Sequence, residues 1–278
     1  MTKEIRTPHN SGTHLRAIIL AGIGVISAAP AYAASSSAYG IEAQFMSADL
    51  STGIGPIAFT QGSTPPSYAK AASVGKVNQI VNVVPGVSPT PALFVNANGL
   101  KSHVSGGFGI DVISSQGNTS LRSANLSLML NPPPPVNRIS PQPEPFLALS
   151  TTGIKSSTFF NEQVPRPATT GGDASFSSIT ITGSLVADKT LRFSGDAAKN
   201  TILYKSPTST STDVPAITIT LNKQVAAAVI SCPVNQPSCT ATPAGLTVDA
   251  VSIDLHNADL NGHPVTGTIT LGHQSASQ

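Results

Sequence analysis

The densest run of chemically capable side chains lies between Ser252 and Gln274, "SIDLHNADLNGHPVTGTITLGHQ", which holds His256, His263 and His273 with Asp254 and Asp259. Imidazoles and carboxylates ligate metals, move protons and orient one another, so their spacing decides what this run can do. In a strand, successive side chains point to opposite faces. Val251, Ile253 and Leu255 then share an apolar face, and Ser252, Asp254 and His256 share the wet one. Asn261-Gly262 is a strong two-residue hairpin signal. In the returning strand, Val265, Ile269 and Leu271 have the parity of His273, which is expected on the apolar side or just past its end. His263 falls at the turn beside Pro264. In this simple register the three imidazoles do not converge, and Asp254 and His256 are the one polar pair left on a common face. A zinc site needs three or four ligands. A third would have to come from a distant strand, and His103 is the only other histidine beyond residue 33. The run therefore reads as a decorated β-hairpin, with no metal and no cofactor expected.

Other chemistry is weaker. The sequence has no G-x-S-x-G elbow, no H-E-x-x-H and no Walker A loop. Paired carboxylates for glycoside hydrolysis are not evident, because Glu42, Asp111, Glu144, Glu162, Asp173, Asp196 and Asp254 follow no pattern. "GGD" at Gly171–Asp173 and "FSGD" at Phe193–Asp196 read as turns rather than calcium loops, which need six or more oxygens. Cys232 and Cys239, in "SCPVNQPSCT", are predicted to form a disulfide across a short Pro-containing loop. The alternative, half a metal site, has no second cysteine pair to complete it.

The elements that must position these residues begin after a leader. "MTKEIRTPHNSGTHLR" is basic, "AIILAGIGVISAA" is apolar but short for a membrane span, and "AYA" at Ala31–Ala33 carries small residues where a signal peptidase reads. Residues 1–33 are thus expected to be a secretory signal peptide cleaved after Ala33, and residues 34–278 an all-β extracytoplasmic domain with no transmembrane anchor. The leader takes three basic residues and one acid, leaving twelve of each and a net charge near zero. That excludes the basic face that nucleic-acid binding needs. Charged residues are 10% of the chain, against about 25% in typical soluble domains. Ser, Thr, Gly, Asn and Pro replace them, as in many secreted β proteins.

A period of two recurs and a helical period does not. Ile41, Ala43 and Phe45 alternate with polar residues, as do Leu126, Leu128 and Leu130. Ile179 and Ile181 oppose Ser178, Thr180 and Thr182. Ile217, Ile219 and Leu221 oppose Thr218 and Thr220. Gly-rich turns separate these runs. The fold class expected is all-β, a single antiparallel β-sandwich or barrel-like domain with Pro-rich loops at Val83–Phe94 and Asn131–Phe146, with a β-solenoid as the alternative. "SYAKAASVGKV" at Ser67–Val77 is expected to be a loop or one short turn.

Several short motifs occur in a fixed order: "SAYGIEA" at Ser37–Ala43, "FSSITITGSLV" at Phe176–Val186, "ITITLNKQ" at Ile217–Gln224, "GLTVDAVSIDL" at Gly245–Leu255 and the closing "GTITLGH". This order resembles the choice-of-anchor family P proteins of bacteria. The resemblance implies an exported surface or extracellular protein and no enzymatic activity. The chain departs from the family pattern at Lys223, where an acid stands in the family, and at Ser252, where a histidine stands. Its closing "GHQSASQ" shows no sorting motif, so a released or periplasmic protein is expected rather than an anchored one. Together these readings predict a secreted, periplasmic or cell-surface protein that is non-enzymatic and structural or adhesive, with an unknown protein or glycan partner. A periplasmic ligand- or carbohydrate-binding module is the second reading, and a hydrolase or metalloenzyme the third.

Overall fold

β-Branched residues alternating with Ser and Thr suit a pleated surface that is buried on one side, and nearly every such run is a strand. The computed structural model describes residues 33–48, 50–87, 90–131, 144–186, 190–208, 213–232 and 239–278. The leader up to residue 32, the "PPPPVNRISPQP" part of the longer Pro-rich segment and the interior of the Cys232–Cys239 loop lie outside them. The strands are β1 (Ser35–Ser47), β2 (Leu50–Ile57), β3 (Thr60–Ser63), β4 (Tyr68–Asn82), β5 (Ala92–Phe108), β6 (Val112–Met129), β7 (Leu147–Gln163), β8 (Arg166–Thr182), β9 (Leu191–Asp196), β10 (Thr201–Lys205), β11 (Ile217–Ser231), β12 (Thr240–Leu260) and β13 (His263–Ser277). One short 3-10 turn spans Ser184–Val186. Among the described residues no helix is long and apolar enough to cross a membrane.

The strands form two antiparallel sheets. Sheet A is seven-stranded, in the order β10-β11-β12-β13-β1-β2, with β3 paired to β1. Sheet B is six-stranded and sequential, β4-β5-β6-β7-β8-β9. They pack face to face as a sandwich, so the expected class holds in its sandwich form and not as a barrel or solenoid. The predicted inward residues Ile41, Ala43, Phe45, Leu126, Leu128, Ile179, Ile181, Ile217, Ile219 and Leu221 are all buried in the main core. Three local expectations are corrected. Ser67–Val77 is mostly strand β4; it lacks an apolar period because it is an edge strand whose side chains are largely exposed. "GGD" lies within β8 and "FSGD" within β9, not in turns.

Strands β4 to β8 of sheet B each change their inward parity once. Inward residues step by three rather than two at Val74/Val77, Ala97/Leu100, Leu121/Ala124, Thr151/Ile154 and Phe176/Ile179. The register aligns these slips into one line across the sheet, through Gly75, Gly99, Arg122, Gly153 and Ser177. Gly99 and Gly153 make the turn of phase with φ of 64° and 61°, a region that glycine enters at little cost. Sheet A slips along a matching line through Asn222, Ala250, Gly272 and Gly40, with φ of 50° at Asn222 and 66° at Gly272.

The line divides the interior. On one side lies the aliphatic core. On the other, Ser102, Ser115, Thr119, Ser156, Thr158 and Gln274 are buried between that core and a small apolar cluster of Ala34, Ile113, Phe160, Ala168 and Ala276. The sheets approach closely there: a Cβ on Gly172 would meet Val248 Cγ2 at 2.4 Å, and one on Gly117 would meet Gln274 Cβ at 3.1 Å. Small side chains are needed, and their hydroxyls are satisfied across the gap. Gln274 Nε2 donates to Thr119 Oγ1 at 2.7 Å and also to Ser156 Oγ, while Ser156 donates to the Gly272 carbonyl at 3.0 Å. Pairing of this kind offsets the cost of burying hydroxyls, about 1–3 kcal/mol for each one left bare.

Candidate binding face and the polar array opposite it

The slip line in sheet B borders a groove of about 920 Å3 on the sheet's outer face. Strand register builds its floor. Ser73, Lys101, Ser120, Lys155, Ser175 and Asp196 stand opposite one another on six neighbouring strands, and Ala71, His103, Asn118, Ser157 and Asp173 form a second row beside them. Adjacent strands lie about 4.8 Å apart, so Lys101 and Lys155, separated by β6, sit close enough to share one anionic group or two neighbouring ones. Asp173, which accepts from Ser157 Oγ at 2.6 Å, and Asp196 carry the opposite charge at the β8–β9 end. No Phe or Tyr lines the groove and His103 brings its one ring, so a ligand here is held chiefly by hydrogen bonds and charge rather than by ring stacking.

Sheet A carries a different array on its outer face. Lys223, Asp249, His273 and Tyr39 stand in one row across β11, β12, β13 and β1. His273 Nδ1 lies 2.6 Å from Asp249 Oδ1, and its ring stacks on Tyr39 with centroids 4.3 Å apart. The placement of His273 toward the apolar side is thus corrected: the left-handed backbone at Gly272 shifts the phase and turns it outward. Burial pushes the Tyr39 phenol well above its usual range, and the hydrogen-bonded Glu42 carboxylate adds to the effect.

Asp254 and His256 share the outer face but not a partner. Asp254 is held by Lys223 Nζ at 2.9 Å and by Ser252 and Thr268 hydroxyls. His256 is exposed at a bulge between Leu255 and Ala258. The hairpin at Asn261-Gly262 is as predicted: both residues have positive φ, and Gly262 N donates to Asp259 Oδ1 at 2.6 Å. His103 lies in the sheet B groove on the opposite side of the sandwich, so it cannot join Asp254 and His256. Among the described residues no cluster of three or more His, Cys, Asp or Glu could hold a metal ion. The Cys232–Cys239 disulfide is formed.

Lys223 and Ser252, the two departures from the resembled family pattern, lie in contact, with Nζ 3.2 Å from Oγ. The sequence reading missed Asp249, the groove lysines and their register. Asp249 and His273 are far apart in sequence and meet only through β12–β13 pairing.

An Asp–His pair is the orienting half of a catalytic triad, but here no serine or cysteine hydroxyl or thiol hydrogen-bonds His273 among the described residues. The pair links β12 to β13 as a side-chain clasp. His273→Ala removes the stack on Tyr39 and leaves the part-buried Asp249 without its imidazole. The expected cost is about 2 kcal/mol, read as a fall of roughly 4–8 °C in the thermal midpoint. An unchanged melt would show the clasp to be energetically idle.

The fold and groove define an antiparallel β-sandwich with a polar sheet-face groove. No family model, curated protein or solved structure matches the chain.

Proposed function

We propose that this is an exported, non-enzymatic adhesive protein that holds a polar, anionic polymer in the groove on sheet B. The observation that carries the reading is the in-register row of polar side chains six strands wide, centred on Lys101 and Lys155. A linear polymer lying across the strands meets a hydrogen-bonding group on every strand, and the two ammonium groups favour carboxylate or phosphate substituents. An acidic polysaccharide of a bacterial envelope has that chemistry. The leader pattern, the disulfide and the motif order that resembles the choice-of-anchor family P proteins support export and a surface role.

Binding to acidic and neutral envelope polysaccharides, measured by a glycan array and calorimetry, tests this. Lys101→Ala/Lys155→Ala is expected to weaken acidic-glycan binding about tenfold or more, since paired charge-assisted hydrogen bonds are lost. Both side chains are exposed, so the melt is expected to stay put. Equal binding by the variant, or a preference for neutral glycans, counts against the groove.

A further inference from the structure

Beyond Gln224, strand β11 runs past β10 as an edge of sheet A, and from Ala228 the β11–β12 hairpin extends beyond β13 as a two-stranded arm. Val225 to Ile230 are exposed at every position, on both faces, as are Thr240 to Pro243, which pair with Ala228 to Ser231. Val225, Val229 and Ile230 are 57%, 57% and 68% exposed. No charged residue occurs between Lys223 and Asp249, so the whole arm lacks the lysines and acids that usually guard a free strand edge. Strand β10 pairs with β11 only up to Leu221, and Asn200 covers it to Gln224 through its contact with the Gln224 amide. From Val225 onward, β12 is the only strand neighbour of β11 among the described residues. Strand β13 leaves β12 at Gly245. A two-stranded ribbon standing alone in water is marginal at best.

We infer that this arm pairs with the same arm of a second copy, β11 edge to β11 edge, antiparallel about a two-fold axis near Ala228. Four observations select that occupant. The β11 edge of the arm contains no proline and can offer its N–H and C=O groups along its length, whereas the β12 edge carries Pro243, which removes a donor. That asymmetry lets two arms pair once and then stop, so the assembly closes as a dimer instead of growing into a fibre. An uncharged arm meets its own copy without like-charge repulsion. Antiparallel pairing sets Val225 of one chain beside residue 231 of the other, which puts the two sandwiches at opposite ends of a four-stranded ribbon and clear of one another. Insertion of a single arm into lipid is disfavoured, because its open edges would leave backbone groups unpaired in hydrocarbon, and both the free stretch of β11 and the shorter one of β12 fall short of the roughly 9–11 residues a spanning strand needs.

Sedimentation velocity of the disulfide-intact chain across the micromolar range, with hydrogen exchange over residues 225–231, tests the inference. The expected result is a concentration-dependent doubling of mass with slowed exchange confined to those amides. Ala228→Lys puts two ammonium groups together near the axis and is expected to weaken the dimer about tenfold or more; Ala228→Glu does the same, and mixing the two variants restores association. Circular dichroism and thermal melts of both are expected to match the parent, since Ala228 is exposed and packs on no core. A monomer with fast exchange at 225–231 throughout the range overturns the inference. So does a dimer that Ala228→Lys leaves unchanged, or a monomer that cosediments with phosphatidylcholine vesicles through the arm. Because none of these readouts involves Lys101 or Lys155, they are independent of the groove.

Discussion

Gly272→Ala is expected to destabilise the protein by about 3 kcal/mol, while Gly262→Ala costs only about 1 kcal/mol. Both glycines have positive φ, 66° and 80°. What separates them is space. A Cβ at Gly262 would meet nothing within 4 Å, whereas one at Gly272 would meet Ala250 Cβ at 3.0 Å and the hydroxyls of Ser156 and Thr119 at 3.1 Å. Those hydroxyls belong to the belt that joins the two sheets, so Gly272→Ala pays the backbone strain and also pushes sheet B away from Gln274. Thermal melts of the pair are the measurement, with an expected fall of roughly 6–12 °C for Gly272→Ala and a few degrees for Gly262→Ala. Similar melts for the two variants would mean that the sheets can spread at the belt without loss.

Alkaline pH is expected to unfold the protein more readily than neutral pH, and Tyr39 is expected to dominate the effect. Burial raises Tyr39, Tyr68 and Tyr204 above their usual phenol range; Glu42 reinforces the shift at Tyr39, while the Ser36 hydroxyl bonded to Tyr68 opposes it there. A raised folded value means that the folded chain holds the phenolic proton more tightly than the unfolded chain. The stability this contributes is complete below the unfolded phenol value of about 10 and is lost as pH rises above it. Urea unfolding between neutral pH and about pH 11 should therefore show stability falling with pH above about 10. Tyr39→Phe keeps the stack on His273 and removes the ionisable group, so it should flatten that slope. The same slope in parent and variant would assign the loss to groups other than Tyr39.

The sequence carried the closing hairpin, the disulfide and the core faces of the central strands, because each depends on residues a few positions apart. It carried the slip line only as a trace. In "ALFVNANGLKSHV", the apolar positions Leu93, Val95 and Ala97 are followed by Leu100 and Val104, and the three-residue step spans Gly99. Parity read across such a step puts later residues on the wrong face, which is how His273 was expected near the apolar side. The groove was not legible at all. Its charged groups come from β5, β7, β8 and β9, and only the pairing register sets Lys101 opposite Ser120 and Ser120 opposite Lys155. Strand β4 was hidden for a different reason: an edge strand exposed to water has little apolar pattern to read.

The pairing of β1 with β13 has a consequence in time. Sheet B is a meander in which each strand hydrogen-bonds the next, so it can assemble progressively as the chain emerges, the β6–β7 connection being its one long loop. Sheet A cannot. Its first strand must wait for its last: Ser35 pairs with Ser277, and their hydroxyls, 242 positions apart in sequence, lie 3.0 Å from each other. Half of the sandwich is therefore open until the final strand arrives, and its aliphatic face stays uncovered through most of synthesis. A chain with that order of pairing cannot close sheet A until its last strand is made, and an aliphatic face left open for that long is exposed to meeting another chain.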